Sequence, residues 1–291
     1  MSDIRDRAVQ IYDAFTHEHR NRRTLLRQMA VLAGSVAAAE TLIAGIAASP
    51  AAAAMIDPTD PRLVTRKDVY NIGPGRNMTG YFAAPRDAKG AGSVVVVHEN
   101  RGLTPHIEDV ARRVALAGYF AVAPDFLSDQ GGTPADENAA RDLIGKANYD
   151  AVIANAIGTI ARLKTREHGN GKAGIIGFCW GGALVDRVAI TAGDALSAGV
   201  SYYGLAPAPE EAVKVQAPLL LHYAGKDTRV AATGVPWTEA LKAAGKQVTA
   251  YTYEGVDHAF NNDTSKERYN EAAAKLAWDR TVAFFHSHLD G

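Results

Sequence analysis

The chain is poor in cysteine, with Cys179 as its only one among 291 residues. A single cysteine cannot form a disulfide within the chain, so oxidative cross-links contribute nothing to its stability. An excess of charge is also lacking, since 31 lysines and arginines stand against 32 aspartates and glutamates. Without a basic cluster in the body of the chain, we expect no nucleic-acid partner and a small or neutral ligand instead.

The sequence also lacks a long, strongly apolar run. The stretch at 29–48 is rich in alanine and is interrupted by Gly34, Glu40 and Gly45. Polar interruptions near the centre of a membrane helix are costly, so we expect no stable membrane span.

The first 54 residues differ in composition from the rest. Arg22 and Arg23 precede this weakly apolar stretch, and residues 49–54 offer small side chains for cleavage. The pattern resembles a twin-arginine export signal. It predicts a leader at 1–54, the twin-arginine machinery as a partner, and a periplasmic or secreted location. The alternative is an amphipathic N-terminal helix that packs on the body of a cytoplasmic protein.

From about residue 57, short β-branched runs alternate with longer segments of helical period, which is typical of parallel βαβ units. The unbroken apolar run at 93–97 predicts a central strand covered on both faces. A Gly-Pro-Gly turn at 73–75 predicts one antiparallel edge. We therefore expect one α/β domain at 55–291, with a mostly parallel central sheet and helices on both faces. The predicted strands are 63–70, 79–83, 93–98, 119–123, 172–177, 198–203, 218–223 and 247–253. The predicted helices are 107–117, 136–146, 150–164, 182–191, 236–244 and 267–286.

The hexapeptide Gly-Phe-Cys-Trp-Gly-Gly at 177–182 follows one of the predicted strands and precedes a helix. Glycines on both sides of Cys179 permit a turn too tight for other side chains and leave the thiol at its apex. The amide end of the next helix favours a thiolate there. The motif predicts a nucleophilic cysteine, although a lone cysteine is often a small buried apolar residue.

A nucleophilic cysteine needs a base, and the base needs an acceptor that orients it. Asp227 and His258 each follow a later predicted strand, which gives the chain order nucleophile, acid, histidine used in α/β hydrolases. Asp257 is the second candidate for the acid, but it is the sequence neighbour of His258 and poorly placed to reach the far side of the imidazole.

The loop after the central strand, at 98–102, is expected to lie at the same edge of the sheet as Cys179. The backbone amides of Trp180 and Asn100 are candidates for an oxyanion hole. Glu99 is expected at the mouth of the cleft, where it either takes the thiol proton or pairs with Arg101.

These segments together resemble the dienelactone hydrolase family, which includes carboxymethylenebutenolidases, over about residues 60–288. The motifs that carry the resemblance are the elbow with its cysteine, the glutamate after the early strand, Pro-Asp-Phe-Leu at 124–127, Gly-Lys-Asp at 225–227 and His-Ala-Phe at 258–260. The resemblance implies an α/β-hydrolase fold and hydrolysis of a lactone or carboxylic ester without a cofactor. Cys179 would be acylated, His258 would act as base and acid, Asp227 would orient it, and Glu99 would govern ionisation of the thiol.

The substrate pocket is expected to differ from that of dienelactone-binding members. Asp129 and Asn262 stand where those members hold arginines for the substrate carboxylate, which makes dienelactone itself doubtful as the natural substrate. Aromatic side chains indicate a more apolar pocket, although each could equally belong to the core. The expected substrate-binding residues are Arg101, Phe126, Trp180, Tyr203 and Phe260.

Other functions stay open on the sequence alone. A glutamine amidotransferase-like enzyme also has a cysteine elbow, but this chain has no His-x-Glu after Cys179. A serine hydrolase would need Gly-x-Ser-x-Gly, and the sequence around Ser201 lacks the closing glycine. A non-catalytic binding module on the same fold is the third alternative. We expect no metal site, since the histidines lack ligand spacing with carboxylates.

Overall fold

The computed structural model describes residues 2–17, 21–46 and 55–291. Three helices come first: α1 (Ser2–His17), α2 (Arg22–Ala33) and α3 (Val36–Ile46). The strands that follow are β1 (Leu63–Gly73), β2 (Arg76–Pro85), β3 (Ala91–Val97), β4 (Phe120–Pro124), β5 (Gly169–Phe178), β6 (Ala198–Tyr202), β7 (Leu219–Ala224) and β8 (Val248–Tyr253). The helices among them are α4 (Pro105–Leu116), α5 (Glu137–Gly145), α6 (Tyr149–Lys164), α7 (Trp180–Thr191), α8 (Thr228–Ala243) and α9 (Glu271–Leu289). Short 3₁₀ turns span Ser128–Gln130, Gly193–Ala195 and Pro209–Lys214.

The strands form one sheet in the order β1-β2-β4-β3-β5-β6-β7-β8. β1 pairs antiparallel with β2, and β2 with β4, whereas every pairing from β4 to β8 is parallel. This confirms the predicted α/β-hydrolase fold with a mostly parallel sheet and an antiparallel edge. Because the parallel strands all end at one edge, the loops that follow them come together there.

The four valines of β3, at 94–97, are fully buried and alternate between two hydrophobic cores. One core contains side chains of α4 and α9, and the other contains side chains of α6, α7 and α8. The sheet is therefore covered on both faces, as the unbroken apolar run predicted.

Two predicted helix starts are wrong. The sequence placed the start of one helix at Pro236, but α8 begins at Thr228 and Pro236 lies inside it. The side chain of Asp227 accepts a backbone hydrogen bond at the N-terminus of α8, which starts the helix a full two turns earlier. The last helix begins at Glu271 rather than at 267, because Asn270 caps it in the same way.

Helices α1 to α3 form a small core of their own and lie against the edge of the sheet where the parallel strands end. The predicted leader covers these helices, and its proposed cleavage region at 49–54 lies outside the described residues. Leader function therefore stays a prediction. Within residues 2–17, 21–46 and 55–291, no single helix is long and apolar enough to cross a membrane. Within those residues, α2 and α3 together have the length and composition of a membrane span, but a bend of 109° separates them.

Candidate active site

Cys179 occupies the sharp turn between β5 and α7, with φ 55° and ψ −111°. A non-glycine residue in this region of the backbone is strained by about 1–3 kcal/mol, so the surrounding structure must hold it there. A Cβ added at Gly177 would collide with the carbonyl of Gly181, and one added at Gly181 would lie 2.6 Å from the carbonyl oxygen of His98. The glycines are thus a steric requirement of the turn that presents the thiol.

His258 and Asp227 meet next to this turn. Nδ1 of His258 lies 2.5 Å from Oδ2 of Asp227, while Oδ1 of Asp227 accepts the backbone N–H of Val230. Both side chains are buried, and His258 lines one recess with Cys179, whose charge acts on the imidazole. The acid, the histidine and the thiol therefore form one connected chain of contacts at the ends of β7, β8 and β5.

The neighbours of His258 favour its charged form. Burial lowers the pKa of His258, but the attraction of Asp227 and Cys179, with hydrogen bonds to both, outweighs burial and raises the pKa to about 10. The same contact keeps the pKa of Asp227 below its ordinary value, although burial opposes this. The carboxylate is thus ionised at neutral pH and stabilises an imidazolium beside Cys179.

Asp257, the second candidate acid, faces another way. Its Oδ2 lies 3.0 Å from Nη2 of Arg5 in α1. The structure therefore brings Asp227, rather than Asp257, to the imidazole.

Glu99 lies on the loop after β3 and lines a recess together with Cys179 and His258. Its Oε2 accepts a hydrogen bond of 2.8 Å from the side-chain amide of Asn262. Asn262 is fixed in turn, because its oxygen accepts from the backbone and the hydroxyl of Thr264. Asn262 thus positions Glu99.

Arg101 does not form the ion pair with Glu99 that the sequence left open. Its guanidinium lies 3.3 Å from Oε2 of Glu137 and donates to the hydroxyl of Tyr12 at 3.1 Å. Arg101 lines the same recess as Glu99, but one N–H of each terminal nitrogen is directed at these two partners.

The two candidate oxyanion residues both line a cavity of about 290 Å³ that opens beside Cys179. Trp180 is the first residue of α7, where backbone N–H groups have no acceptor within the helix. Asn100 is held on the other side, because its side-chain amide donates to the carbonyl of Thr16. The structure thus brings both residues to the nucleophile.

The aromatic candidates divide into two groups. Trp180 and Tyr203 line the cavity, and the ring of Tyr203 lies 5.0 Å from that of His258. Phe126 and Phe260 are 5% and 0% exposed and belong to the hydrophobic cores. They do not line the described cavity, so the prediction that they contact substrate is wrong. Phe126 packs behind Trp180, and Phe260 packs behind Tyr203.

Several residues of the site were not predicted from the sequence. Tyr12 and Thr16 of α1 line the recess around Cys179, and so does Arg268. Nη1 of Arg268 lies 3.3 Å from Oδ1 of Asp13. The composition of residues 1–54 predicts a leader rather than part of a site, and no local motif marks Arg268.

Comparison with known proteins identifies the wider family. A model of the dienelactone hydrolase family matches residues 78–289. A curated Salmonella typhi protein named "Putative carboxymethylenebutenolidase" is 33% identical over 260 residues, which cover 82% of this chain and 93% of that protein. A Methylorubrum extorquens protein of the same name is 31% identical over 281 residues, which cover 91% of this chain and 94% of that protein.

Solved structures agree with this comparison. A Klebsiella pneumoniae protein solved as a "Putative Dienelactone Hydrolase" has a TM-score of 0.70 and 31% identity, covering 78% of this chain and 99% of its own. A mutant of the esterase rPPE, at 15% identity and a TM-score of 0.66, covers 98% of each chain and shares the fold. Because the family model matches most of the chain and the relatives align along nearly their whole length, this chain belongs to the dienelactone hydrolase family.

Proposed function

We propose that the protein hydrolyses a lactone or a carboxylic ester, with Cys179 carrying the acyl group as a thioester. The observation that carries this proposal is the strained turn that presents Cys179 to His258, whose opposite nitrogen contacts Asp227 at 2.5 Å. Membership of the dienelactone hydrolase family supports an enzyme that acts on ester bonds.

The reaction begins with the thiol proton on His258. Asp227 stabilises the imidazolium, and the N-terminus of α7 stabilises the thiolate. The thiolate attacks the carbonyl carbon, a C–S bond forms, and the carbonyl π electrons move to oxygen. Amides of Trp180 and Asn100 stabilise this oxyanion, which is the kind of contact that contributes most to acyl transfer.

Collapse of the tetrahedral intermediate breaks the ester C–O bond. The leaving alcohol, or the ring oxygen of a lactone, takes the proton from His258, and a thioester remains on Cys179. Water then attacks the thioester while His258 accepts its proton, and the C–S bond breaks. The product is a carboxylic acid, and the thiolate and imidazolium are restored.

Glu99 controls the charge beside the nucleophile. Its carboxylate lines the recess that contains Cys179 and is fixed there by Asn262, so we assign it the role of governing ionisation of the thiol.

The two positions that hold arginines in dienelactone-binding members are Asp129 and Asn262 here, which favours a neutral substrate. Asp129 is exposed and lines neither cavity beside Cys179, the amide of Asn262 is committed to Glu99, and Arg101 contacts Glu137 and Tyr12. The cationic side chains that line the larger cavity come from other positions: Arg141, Arg187 and Arg229. A substrate carboxylate therefore finds no free cationic fork at the positions that bind it in dienelactone-binding members.

The experiment is turnover of a panel of neutral aryl esters and lactones by the wild type, Cys179→Ala and Cys179→Ser. We expect no turnover above background for the alanine variant and little for serine, whose hydroxyl is far less acidic than a thiol. Equal unfolding temperatures are the control for folding. Wild-type rates in the alanine variant would contradict the proposal, and absence of turnover in the wild type would favour a binding module.

A further inference from the structure

The N-terminal helices contact the three loops that carry His258, Asp227 and Glu99. Arg5 pairs with Asp257, next to His258. Asp6 pairs with Lys226, next to Asp227. The loop of Glu99 is contacted through two further residues, since Asn100 donates to the carbonyl of Thr16 and Arg101 to the hydroxyl of Tyr12.

The central contact is an ion pair beside the nucleophile. Asp13 in α1 lies 3.3 Å from Arg268, whose side chain is 9% exposed and lines the recess with Cys179. The ring of Tyr12 packs under the same guanidinium. The charges of His258 and Asp227 also act on Asp13, which places the carboxylate of α1 within the electrostatic field of the site.

The space that these helices leave around the nucleophile is small. The recess between Tyr12 and Thr16 on one side and Cys179 and His258 on the other has about 30 Å³, room for one or two water molecules. The adjoining cavity of about 290 Å³ lies at the lower end of the range of about 300–1,000 Å³ that is usual for ligand sites. Thr16 forms part of its wall.

The contacts between these helices and the body are mainly polar. The apolar side chains of α1 to α3 pack on one another in a core that is separate from the two cores of the sheet. Polar interfaces within a chain are the ones that open most readily. Further contacts join the helices to the body: Arg5 with Glu267, Gly45 with Glu267, Ile46 with Ser265, and the cation–π pair of Phe15 and Arg141.

We propose that helices α1 to α3 form a cap that closes the pocket around Cys179, that the pair of Asp13 and Arg268 holds it closed, and that its release admits larger esters. This inference rests on the esterase function proposed above for the same site. The cap precedes the small-residue stretch at 47–54. Cleavage there, as the predicted leader requires, would free the cap from the body.

The test uses Cys179 as its own reporter, because it is the only thiol in the chain. Labelling rates with small iodoacetamide and with a bulky dye-maleimide are compared in the full-length wild type and in the double variant Arg5→Gln with Asp13→Asn. The matched control is Glu40→Gln, which removes an exposed acid from the same segment.

We expect the double variant to react with the bulky reagent about tenfold faster or more, with a much smaller change for iodoacetamide and wild-type behaviour in the control. The kcat/KM of bulky esters should rise in parallel. Equal bulky-reagent rates in the wild type and the double variant would overturn the cap.

A second version of the test avoids these substitutions. A protease site is introduced within 47–54, and the folded full-length protein is labelled before and after the cut. Faster bulky labelling after the cut supports the cap, and an unchanged rate contradicts it. If the bulky reagent labels faster after the cut but no ester is hydrolysed, the cap is supported and the esterase function is rejected. If esters are hydrolysed but the bulky-reagent rate does not change, the esterase function is supported and the cap is rejected.

Discussion

Replacement of Asp227 by asparagine tests the charge that supports His258. Asparagine keeps the size of the side chain and an oxygen that can cap α8, but it removes the negative charge 2.5 Å from Nδ1. In the wild type, the pKa of His258 rises from 6.5 to about 10 against the effect of burial. A difference of that size corresponds to a preference for the imidazolium on the order of 5 kcal/mol, and Asp227 is the leading favourable contributor.

We expect Asp227→Asn to lower kcat/KM for a neutral aryl ester by about 10³–10⁴, the usual scale for loss of a triad carboxylate. The matched control is Asp257→Asn, which removes a neighbouring carboxylate that contacts Arg5. We expect this control to retain turnover within several-fold. If Asp257→Asn lost most activity while Asp227→Asn retained it, the assignment of the acid would be wrong.

The same variant changes the pH dependence of stability. A histidine with a raised pKa in the folded state contributes stability that is fully present below about pH 6.5 and is lost as the pH rises toward about 10. The unfolding temperature of the wild type should therefore fall across this window, and that of Asp227→Asn should fall less. Circular dichroism melts between pH 6 and 10 measure both. Parallel pH profiles for the two proteins would refute the reasoning.

The remaining predictions concern the charge near the thiol, the substrate and export. Asn262→Ala should release Glu99 and shift the pH profile of kcat/KM. A change in KM alone would contradict the role of Asn262 in positioning Glu99. Neutral methyl esters should exceed the corresponding carboxylates in kcat/KM by on the order of tenfold, and arginine at both Asp129 and Asn262 should reverse this; an equal or higher value for the carboxylate in the wild type would refute it. We propose that Arg22 and Arg23 direct export, so replacing both with lysine should retain the protein in the cytoplasm; fractionation that finds both versions there with intact N-termini would reject the leader.

The sheet and the central site could be predicted because their signals are local. The glycines around Cys179 are required by a turn with only one steric solution, and Asp227 and His258 were found because parallel strands end at one edge. The buried valines of β3 identified the central strand for a similar reason, since a strand covered on both faces has no polar alternation.

The other features depend on contacts that local patterns do not encode. Asp13 and Arg268 are far apart in sequence, and only the folded chain brings them together. Phe126 and Phe260 have the same composition signal as pocket aromatics, and only their burial assigns them to the core. The sequence predicts a helix start at Pro236, whereas the cap supplied by Asp227 determines the start of α8.

The most direct test of the central claim is trapping of the acyl-enzyme. The protein is mixed with an activated neutral aryl ester, quenched in acid within a single turnover, digested and examined by mass spectrometry. We predict an added acyl mass on the peptide that contains Cys179, formed rapidly in the wild type and absent from Cys179→Ala. Ester hydrolysis with no acyl mass on this peptide, or with the mass on another residue, would contradict a thioester intermediate at Cys179.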